Sequence, residues 1–195
     1  ASTSMVTTGA YTVTIPAGSG IAIGTPIMVW IDGGAVLGSV VTKASSTAVG
    51  ANITGLDIYR NRLIARHEAT SATSTTINDL AFYTIAQDAD VTHATTSTGE
   101  IVVRSGVELY VWGGDTFAPG GAITVAGNAG AGATEGSMTM GASSVYIASS
   151  TLRLAGSLTV PSSATFNAGS STIFFIASST GKTISAPVSS MGNVT

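Results

Sequence analysis

The chain has 195 residues, of which 44% are hydrophobic and only 9% are charged, against roughly 25% charged residues in average soluble domains. With seven basic residues, a net charge of −3 and no cysteine, it lacks the basic stripe of a nucleic-acid-binding protein, any disulfide and any thiolate metal site. It contains no run of about 20 apolar residues, so no membrane span is expected. A surface so poor in charge offers little protection against association, and self-assembly is therefore expected.

The N-terminal part predicts a small, polar arm that leads into a β-meander. Residues 1–10 are mostly small and polar, and Tyr11, Val13 and Ile15 then alternate with threonine, which places the three side chains on one face of a strand. This strand is a candidate donor strand for a neighbouring subunit. Further strands are predicted between turn-forming residues, including the turn Asp32-Gly33-Gly34, at 21–23, 26–31 and 35–41.

The most charged stretch, residues 56–68, contains three of the seven basic residues, namely Arg60, Arg62 and Arg66. It predicts two strands around a turn at Arg60-Asn61-Arg62. Two interpretations remain open for the arginines. They contact an acidic partner or a neighbouring subunit, or they form a solvated hairpin whose own ion pairs contribute little each.

The next region predicts a strand and then a domain boundary. Residues 77–87 are rich in β-branched and aromatic side chains, which favours a strand over a short helix. The polar region 88–99 follows, and the boundary is placed at about residue 92. Residues 1–92 are therefore expected to form a β-sandwich-like domain with an N-terminal arm, and residues 93–195 a second domain.

From residue 107 to residue 190, short apolar segments alternate with small turn-forming residues. Two sequence echoes occur: residues 147–151 recur as 176–180, and residues 116–121 resemble 165–170. Repetition of this kind favours a β-solenoid, in which each coil buries its apolar face against its neighbours. An antiparallel sandwich of similar short strands is the alternative.

Motifs of catalysis and nucleotide binding are incomplete. Gly181-Lys182-Thr183 matches the end of a phosphate loop, but Ile176 occupies the position of its leading glycine. His67 and His93 belong to neither an H-E-x-x-H nor a G-x-S-x-G pattern. We therefore predict that the chain is not an enzyme.

Two hypotheses about a bound ligand remain, a calcium ion and a sugar. Asp88 and Asp90, with Asp79 or Glu100, are weak candidates for binding calcium, because carboxylate oxygens suit that ion, although the EF-hand pattern is absent. A sugar-stacking platform is the other hypothesis, although aromatic side chains in such patterns more often belong to a core; its candidates are Trp30, Tyr59, Tyr110, Trp112 and Phe117.

Residues 62–68 (RLIARHE) and 109–121 (LYVWGGDTFAPGG) resemble repeats in very large surface proteins of candidate-phyla (Patescibacteria-type) bacteria. In those repeats an "LIVRHE"-like strand precedes a "W-x-G-D-T-F-A-P-G-G" turn and short "LTV…ATFNAGSSTI" units, to which residues 157–173 are similar. The resemblance implies a secreted, β-rich structural or adhesive module, one of several in tandem. No catalytic residue carries over from it.

Together these observations predict an all-β, extracellular or cell-surface structural protein with a β-sandwich-like part and a β-solenoid part. Its partner would be itself, in a filament, sheath or surface layer built by strand addition or end-to-end stacking. The alternatives are a monomeric adhesin or glycan-binding module and, less favoured, a solenoid glycan-degrading enzyme. Ala1 suits a mature form after signal cleavage or a fragment, and the patterns at Asn52 and Asn193 matter only where N-glycosylation occurs.

Overall fold

A computed structural model describes residues 9–16, 18–44, 53–68, 74–126 and 135–187. These residues form fifteen short strands and one five-residue helix, α1 (Ile77–Ala81), which confirms the all-β class. The strands are β1 (Pro26–Trp30), β2 (Ser39–Lys43), β3 (Arg62–Ala65), β4 (His93–Thr95), β5 (Ile101–Val103), β6 (Glu108–Val111), β7 (Thr116–Phe117), β8 (Ile123–Val125), β9 (Met138–Met140), β10 (Val145–Ile147), β11 (Leu152–Leu154), β12 (Leu158–Thr159), β13 (Thr165–Asn167), β14 (Ile173–Phe175) and β15 (Ile184–Ser185).

The strands form three sheets, which we name A, B and C. Sheet A has the order β1-β2-β3-β6-β9-β12-β15, sheet B the order β13-β10-β7, and sheet C the order β14-β11-β8-β5-β4. From β5 onward the chain visits sheets C, A and B in turn, and from β8 onward each strand pairs in parallel with the strand three earlier. Among the described residues, antiparallel pairing is confined to β1 with β2 and β4 with β5.

The three sheets surround one core. In sheet C, Ile101, Ile123, Leu152 and Ile173 lie in register on four adjacent strands, and all four are fully buried. Alternation along each strand explains the pattern, because every second side chain points to the same face. The core positions of sheet A follow the same rule at Leu63, Leu109, Met138 and Leu158.

Sheet B contributes a column of aromatic rings to the core. Phe117, Tyr146 and Phe166 occupy matching register positions on β7, β10 and β13. The ring centroids of Tyr146 and Phe166 are 4.9 Å apart with the planes 20° from parallel, and those of Phe117 and Tyr146 are 5.9 Å apart. All three side chains are buried, and burial raises the pKa of the Tyr146 hydroxyl.

The outer face of sheet A is covered at its β2–β3 end. Val40 and Ile64 alternate with the core residues Val41 and Leu63 along their strands, yet both are fully buried. The chain is also tightly packed just before β2, since a Cβ added at Gly38 would lie 3.0 Å from side-chain atoms of Ile31 and Ile58. The strands β1, β2 and β3 belong to the same sheet that continues to β15.

Four local predictions were wrong. Residues 21–23 form no strand, because hydrogen bonds between Ala22 and Thr25 make a turn there. The stretch 56–68 is not a hairpin: its one strand, β3, pairs in parallel with β2 and β6. Residues 77–81 form a helix, because Thr76 and Asp79 make a reciprocal capping box at its start and Leu80 is buried on its inner side. Residues 9–16 form no strand, although Tyr11 and Val13 are half-buried between exposed threonines.

The predicted boundary at residue 92 stays a prediction. Sheet A contains strands from both sides of that position, since β3 pairs with β6 over Arg62–Glu108 to Ala65–Val111. The first eight residues of the predicted arm, and both Asn52 and Asn193, lie outside the described residues. No helix within the described ranges has the length and apolar character needed to cross a bilayer.

Candidate assembly surface

The strands β13, β14 and β15 end sheets B, C and A respectively, and we call this end of the molecule the tail end. In the part of the chain that the structure describes, no strand pairs with their outer edges. Such an edge presents backbone N–H and C=O groups that a further strand can satisfy. Phe174, Ile176 and Ile184 add exposed apolar surface, at 37%, 43% and 49% exposure.

The tail end also lacks charge. No Asp, Glu, Lys, Arg or His occurs from residue 154 to residue 181. The charged side chains described there are Arg153 on β11, whose guanidinium carbon lies 5.7 Å from the centre of the Phe174 ring, and the ion pair of Lys182 with Glu135. A partner surface that covers the strands β13 to β15 would therefore meet no unpaired carboxylate among these groups.

The carboxylate of Glu135 binds the segment between β14 and β15 through several hydrogen bonds. The two oxygens of Glu135, just before β9, accept hydrogen bonds from the Ser178 N–H at 2.6 Å, the Ser178 hydroxyl at 2.8 Å and the Ser179 hydroxyl at 2.8 Å. The Lys182 ammonium lies 2.8 Å away. The hydrogen bond from Lys182, and then those from the serines, lower the pKa of Glu135 from 4.5 to about 2.

Glu135→Gln is expected to destabilise the chain in a pH-dependent way. A carboxyl group whose pKa is lower in the folded state stabilises that state above its unfolded pKa of 4.5, and this contribution disappears as the pH falls towards 2. The thermal midpoint of the variant should lie below that of the wild type near neutral pH, and the two should converge in acid. Melting curves recorded from about pH 7 to about pH 2 test this, and a pH-independent difference would contradict it.

Sequence reasoning missed Glu135, although a signal was present. It is the only acidic residue after Asp115, and Lys182 is the only lysine after Lys43. An isolated pair of opposite charges in an otherwise neutral stretch is a reasonable candidate for a specific ion pair. What the sequence alone did not show was that Lys182, 47 residues after Glu135, lies beside it because β9 and β15 belong to the same sheet, on either side of β12.

The opposite end of the molecule, which we call the head end, is built differently. Sheets A and C end there in the antiparallel strands β1 and β4. Sheet B ends at β7, where Thr75 makes a parallel bridge to Phe117 and the N–H of Ile77 donates to the Pro119 carbonyl at 2.8 Å. Helix α1 continues directly from this contact.

The predicted calcium ligands lie on this side of the chain. One carboxylate oxygen from each of Asp32, Asp88 and Asp90 lies within 4.8 Å of the other two. Asp32 was missed because its Asp-Gly-Gly context was interpreted only as a turn. Asp79 is used elsewhere, in the helix cap and in an ion pair with Lys43 at 3.2 Å.

Glu100, the other proposed calcium ligand, is also used elsewhere. It accepts a hydrogen bond from Thr124 and lies 3.5 Å from Arg153. The three aspartates place the acidic surface of the head end around the turn after β1 and the loop before β4. Their carboxylates are close enough to repel one another in water, and calcium binding stays a prediction.

Two of the three proposed contact arginines are engaged within the chain. Arg62 pairs with Glu108, and its guanidinium carbon lies 5.3 Å and 5.1 Å from the ring centres of Tyr59 and Tyr110. Arg66 is buried. It lies 2.9 Å from Glu68 and 5.5 Å from the centre of the Trp112 ring, and it donates to the Gly55 carbonyl at 2.5 Å. Arg60 is exposed, in the turn before β3.

The proposed donor strand contacts its own chain. The Tyr11 hydroxyl donates to the Leu56 carbonyl, and burial is the main cause that raises the pKa of this tyrosine. Val13 is half-buried and Ile15 is 41% exposed. Insertion of residues 11–15 into a neighbouring subunit stays a prediction. It would require the hydrogen bond between Tyr11 and Leu56 to break.

The two histidines lie in separate surroundings. His93 is fully buried. Its Nε2 donates to the Leu80 carbonyl at 2.8 Å, and desolvation lowers its pKa. The Nε2 atom of His67 accepts a hydrogen bond from the Thr116 backbone N–H at 3.0 Å, and the Asp115 carboxylate accepts one from the His67 backbone N–H at 3.1 Å. Burial raises the pKa of the Asp115 carboxyl.

The aromatic residues proposed as a sugar platform do not form one surface. Phe117 is in the core, and Trp30 packs on Tyr83 at the head end, with ring centres 4.9 Å apart. Tyr59, Tyr110 and Trp112 lie together on the outer face of sheet A, where arginines cover part of their rings.

Comparison with known proteins gave no match. No family model matches the chain, and neither a curated protein nor a solved structure matches it. The functional argument therefore rests on the sequence and the geometry, and the resemblance of residues 62–68 and 109–121 to surface-protein repeats stays a prediction.

Proposed function

We propose that the chain is an extracellular or cell-surface structural protein, that its sheets are the walls of a β-solenoid, and that it self-assembles through the tail end. The observation that carries the assembly is the tail end itself: three strand edges without a described partner, exposed apolar side chains and no charge between residues 154 and 181. Open edges of this kind pair with further strands.

The regular visiting of three sheets supports the solenoid. Each turn of the chain places one strand in sheet C, one in sheet A and one in sheet B, and the next turn pairs with it in parallel. A solenoid coil buries its apolar face only against its neighbours. The outer edges of β13, β14 and β15 pair with no other described strand, which favours association.

The composition supports a structural role. Charged residues make up 9% of the chain, and a protein that stays dispersed usually carries more. Among the described residues, the two histidines make hydrogen bonds that hold loops and strands in place. The hydrogen bonds described for their rings join them to backbone groups and not to the hydroxyl nucleophile of a hydrolase.

Ile184→Lys is expected to weaken self-association at least about tenfold, because a lysine on an edge strand opposes pairing with a further strand. Phe82→Lys is the matched control: Phe82 is also an exposed apolar residue, at 44% against 49% for Ile184, but it lies next to α1. Sedimentation and electron microscopy of the wild type should show assemblies that Phe82→Lys retains and Ile184→Lys loses.

A wild-type chain that stays monomeric over the full accessible concentration range would overturn the proposed function. A glycan-binding screen would then test the adhesin alternative. Equal loss of assembly in both variants would contradict the assignment to the tail end. Removal of residues 1–10 tests the donor strand separately, and assembly at an unchanged rate and extent would exclude that mechanism.

A further inference from the structure

The tail end has two ways of meeting a second copy of the chain. It can contact the head end of the next copy, which gives an open series, or it can contact the tail end of a second copy about a two-fold axis, which closes at two. We propose the second arrangement: two copies meet tail to tail, with β15 of one copy beside β15 of the other. This inference rests on the proposed function and adds the symmetry and the partner surface.

The head end does not match the tail end in its available edges. The tail end presents the three edges of β13, β14 and β15. At the head end the edge of sheet B is already occupied by the Thr75 bridge, and the chain then continues into α1. The three strand edges of an incoming tail end could therefore pair with at most two strand edges at the head end.

Charge argues in the same direction. The head end carries the three clustered carboxylates of Asp32, Asp88 and Asp90. The cation of the tail end, Lys182, is already paired with Glu135 at 2.8 Å. Covering the three aspartates with the tail end would therefore remove carboxylates from water without supplying a free cation, which is costly. Two tail ends bring no such cluster into the contact, because residues 154–181 contain no charge.

A two-fold axis also fits the strand directions. An axis normal to sheet A that passes between the two β15 strands makes these strands antiparallel, and antiparallel pairs are slightly more stable than parallel ones. It brings sheet A of one copy beside sheet A of the other and exchanges sheets B and C, so that β13 faces β14. Ile184 is in register with the core residue Leu158 but is exposed in the single chain, and it would then lie inside the contact.

Single cysteine variants test the arrangement directly, because the chain contains no cysteine of its own. Ser185→Cys places a thiol on the tail-end strand β15, and Thr95→Cys places one on the head-end strand β4; both side chains are exposed in the single chain. A short bis-maleimide bridges thiols of different copies only where they are close. Thr183→Cys, just before β15, covers the neighbouring register.

The expected result is a covalent dimer from Ser185→Cys or Thr183→Cys at a yield at least about tenfold above that from Thr95→Cys, since only a two-fold contact brings the same residue of two copies together. Circular dichroism and the thermal midpoint establish that each variant folds.

Open-ended assemblies in which neither tail-end cysteine joins to itself would overturn the tail-to-tail arrangement and leave the proposed function standing. Selective joining through Thr95→Cys would overturn it in the same way. A monomer in every variant and in the wild type would overturn both.

Discussion

Tyr146→Ala lowers the free energy of unfolding by about 3–5 kcal/mol, which is the usual cost of removing a large buried aromatic ring. Tyr146 is the middle ring of the column with Phe117 and Phe166, and it is 2% exposed. Its removal leaves a cavity between two rings that belong to different strands, β7 and β13. The loss is a large share of the 5–15 kcal/mol that stabilises a typical protein.

Two control variants test whether the loss of stability comes from removal of the aromatic ring. Tyr146→Phe keeps the ring volume and is expected to cost less than about 1.5 kcal/mol. Ile147→Ala changes the next residue of β10, whose side chain is 40% exposed, and should cost far less than the loss of Tyr146. Urea unfolding followed by circular dichroism measures all three. Similar losses for Tyr146→Ala and Ile147→Ala would mean that the aromatic column is not a principal part of the core.

Gly156→Ala is expected to destabilise the chain by about 1–3 kcal/mol or more, because it introduces an atom where the backbone before β12 touches the backbone before β9. A Cβ at this position would lie 2.4 Å from the Gly136 carbonyl oxygen and 2.5 Å from the Ser137 hydroxyl oxygen. The nearest obstacle is backbone, and it cannot rotate away. The adjacent strands β9 and β12 would have to separate.

Gly34→Ala is the matched control for this steric effect. The atoms nearest to a Cβ at Gly34 lie at 3.5 Å, an ordinary contact distance. Its stability should remain within about 0.5 kcal/mol of the wild type. Thermal and urea unfolding of both variants measure the difference, and an equal effect would contradict close coil contact at Gly156.

The two sequence echoes show how far the sequence predicted the fold. Residues 116–121 and 165–170 resemble each other because Thr116 and Thr165, and Phe117 and Phe166, occupy matching positions two coils apart in sheet B. The echo of residues 147–151 in 176–180 has no such origin. The copy at 147–151 begins at the last residue of β10, in sheet B, and the copy at 176–180 begins directly after β14, in sheet C. Similar turn chemistry explains it, since small residues suit any tight corner.

The helix α1 and the clustered aspartates were harder to predict for physical reasons. Residues 77–87 contain β-branched and aromatic side chains, but the capping contact between Thr76 and Asp79 and the burial of Leu80 decide the local conformation. Asp32 and Asp88 are brought together by the folding of β1 against the loop before β4. The spacing of residues along the chain does not predict a contact between residues that are so far apart in sequence. The alternation of apolar residues, by contrast, was enough to predict the all-β class.

The strand order has a consequence for how the protein is made. From β2 through β15, every strand except β4 and β7 pairs with a strand that precedes it in the chain, and β7 meets Thr75, which also precedes it. During synthesis the N-terminal strands emerge first. Each later strand except β4 can therefore pair on emerging with one that has already left the ribosome, and β4 waits only for β5, six residues after its end. Among the described strands, β13, β14 and β15 emerge last, so the proposed contact between copies would form only after the preceding strands exist to support it.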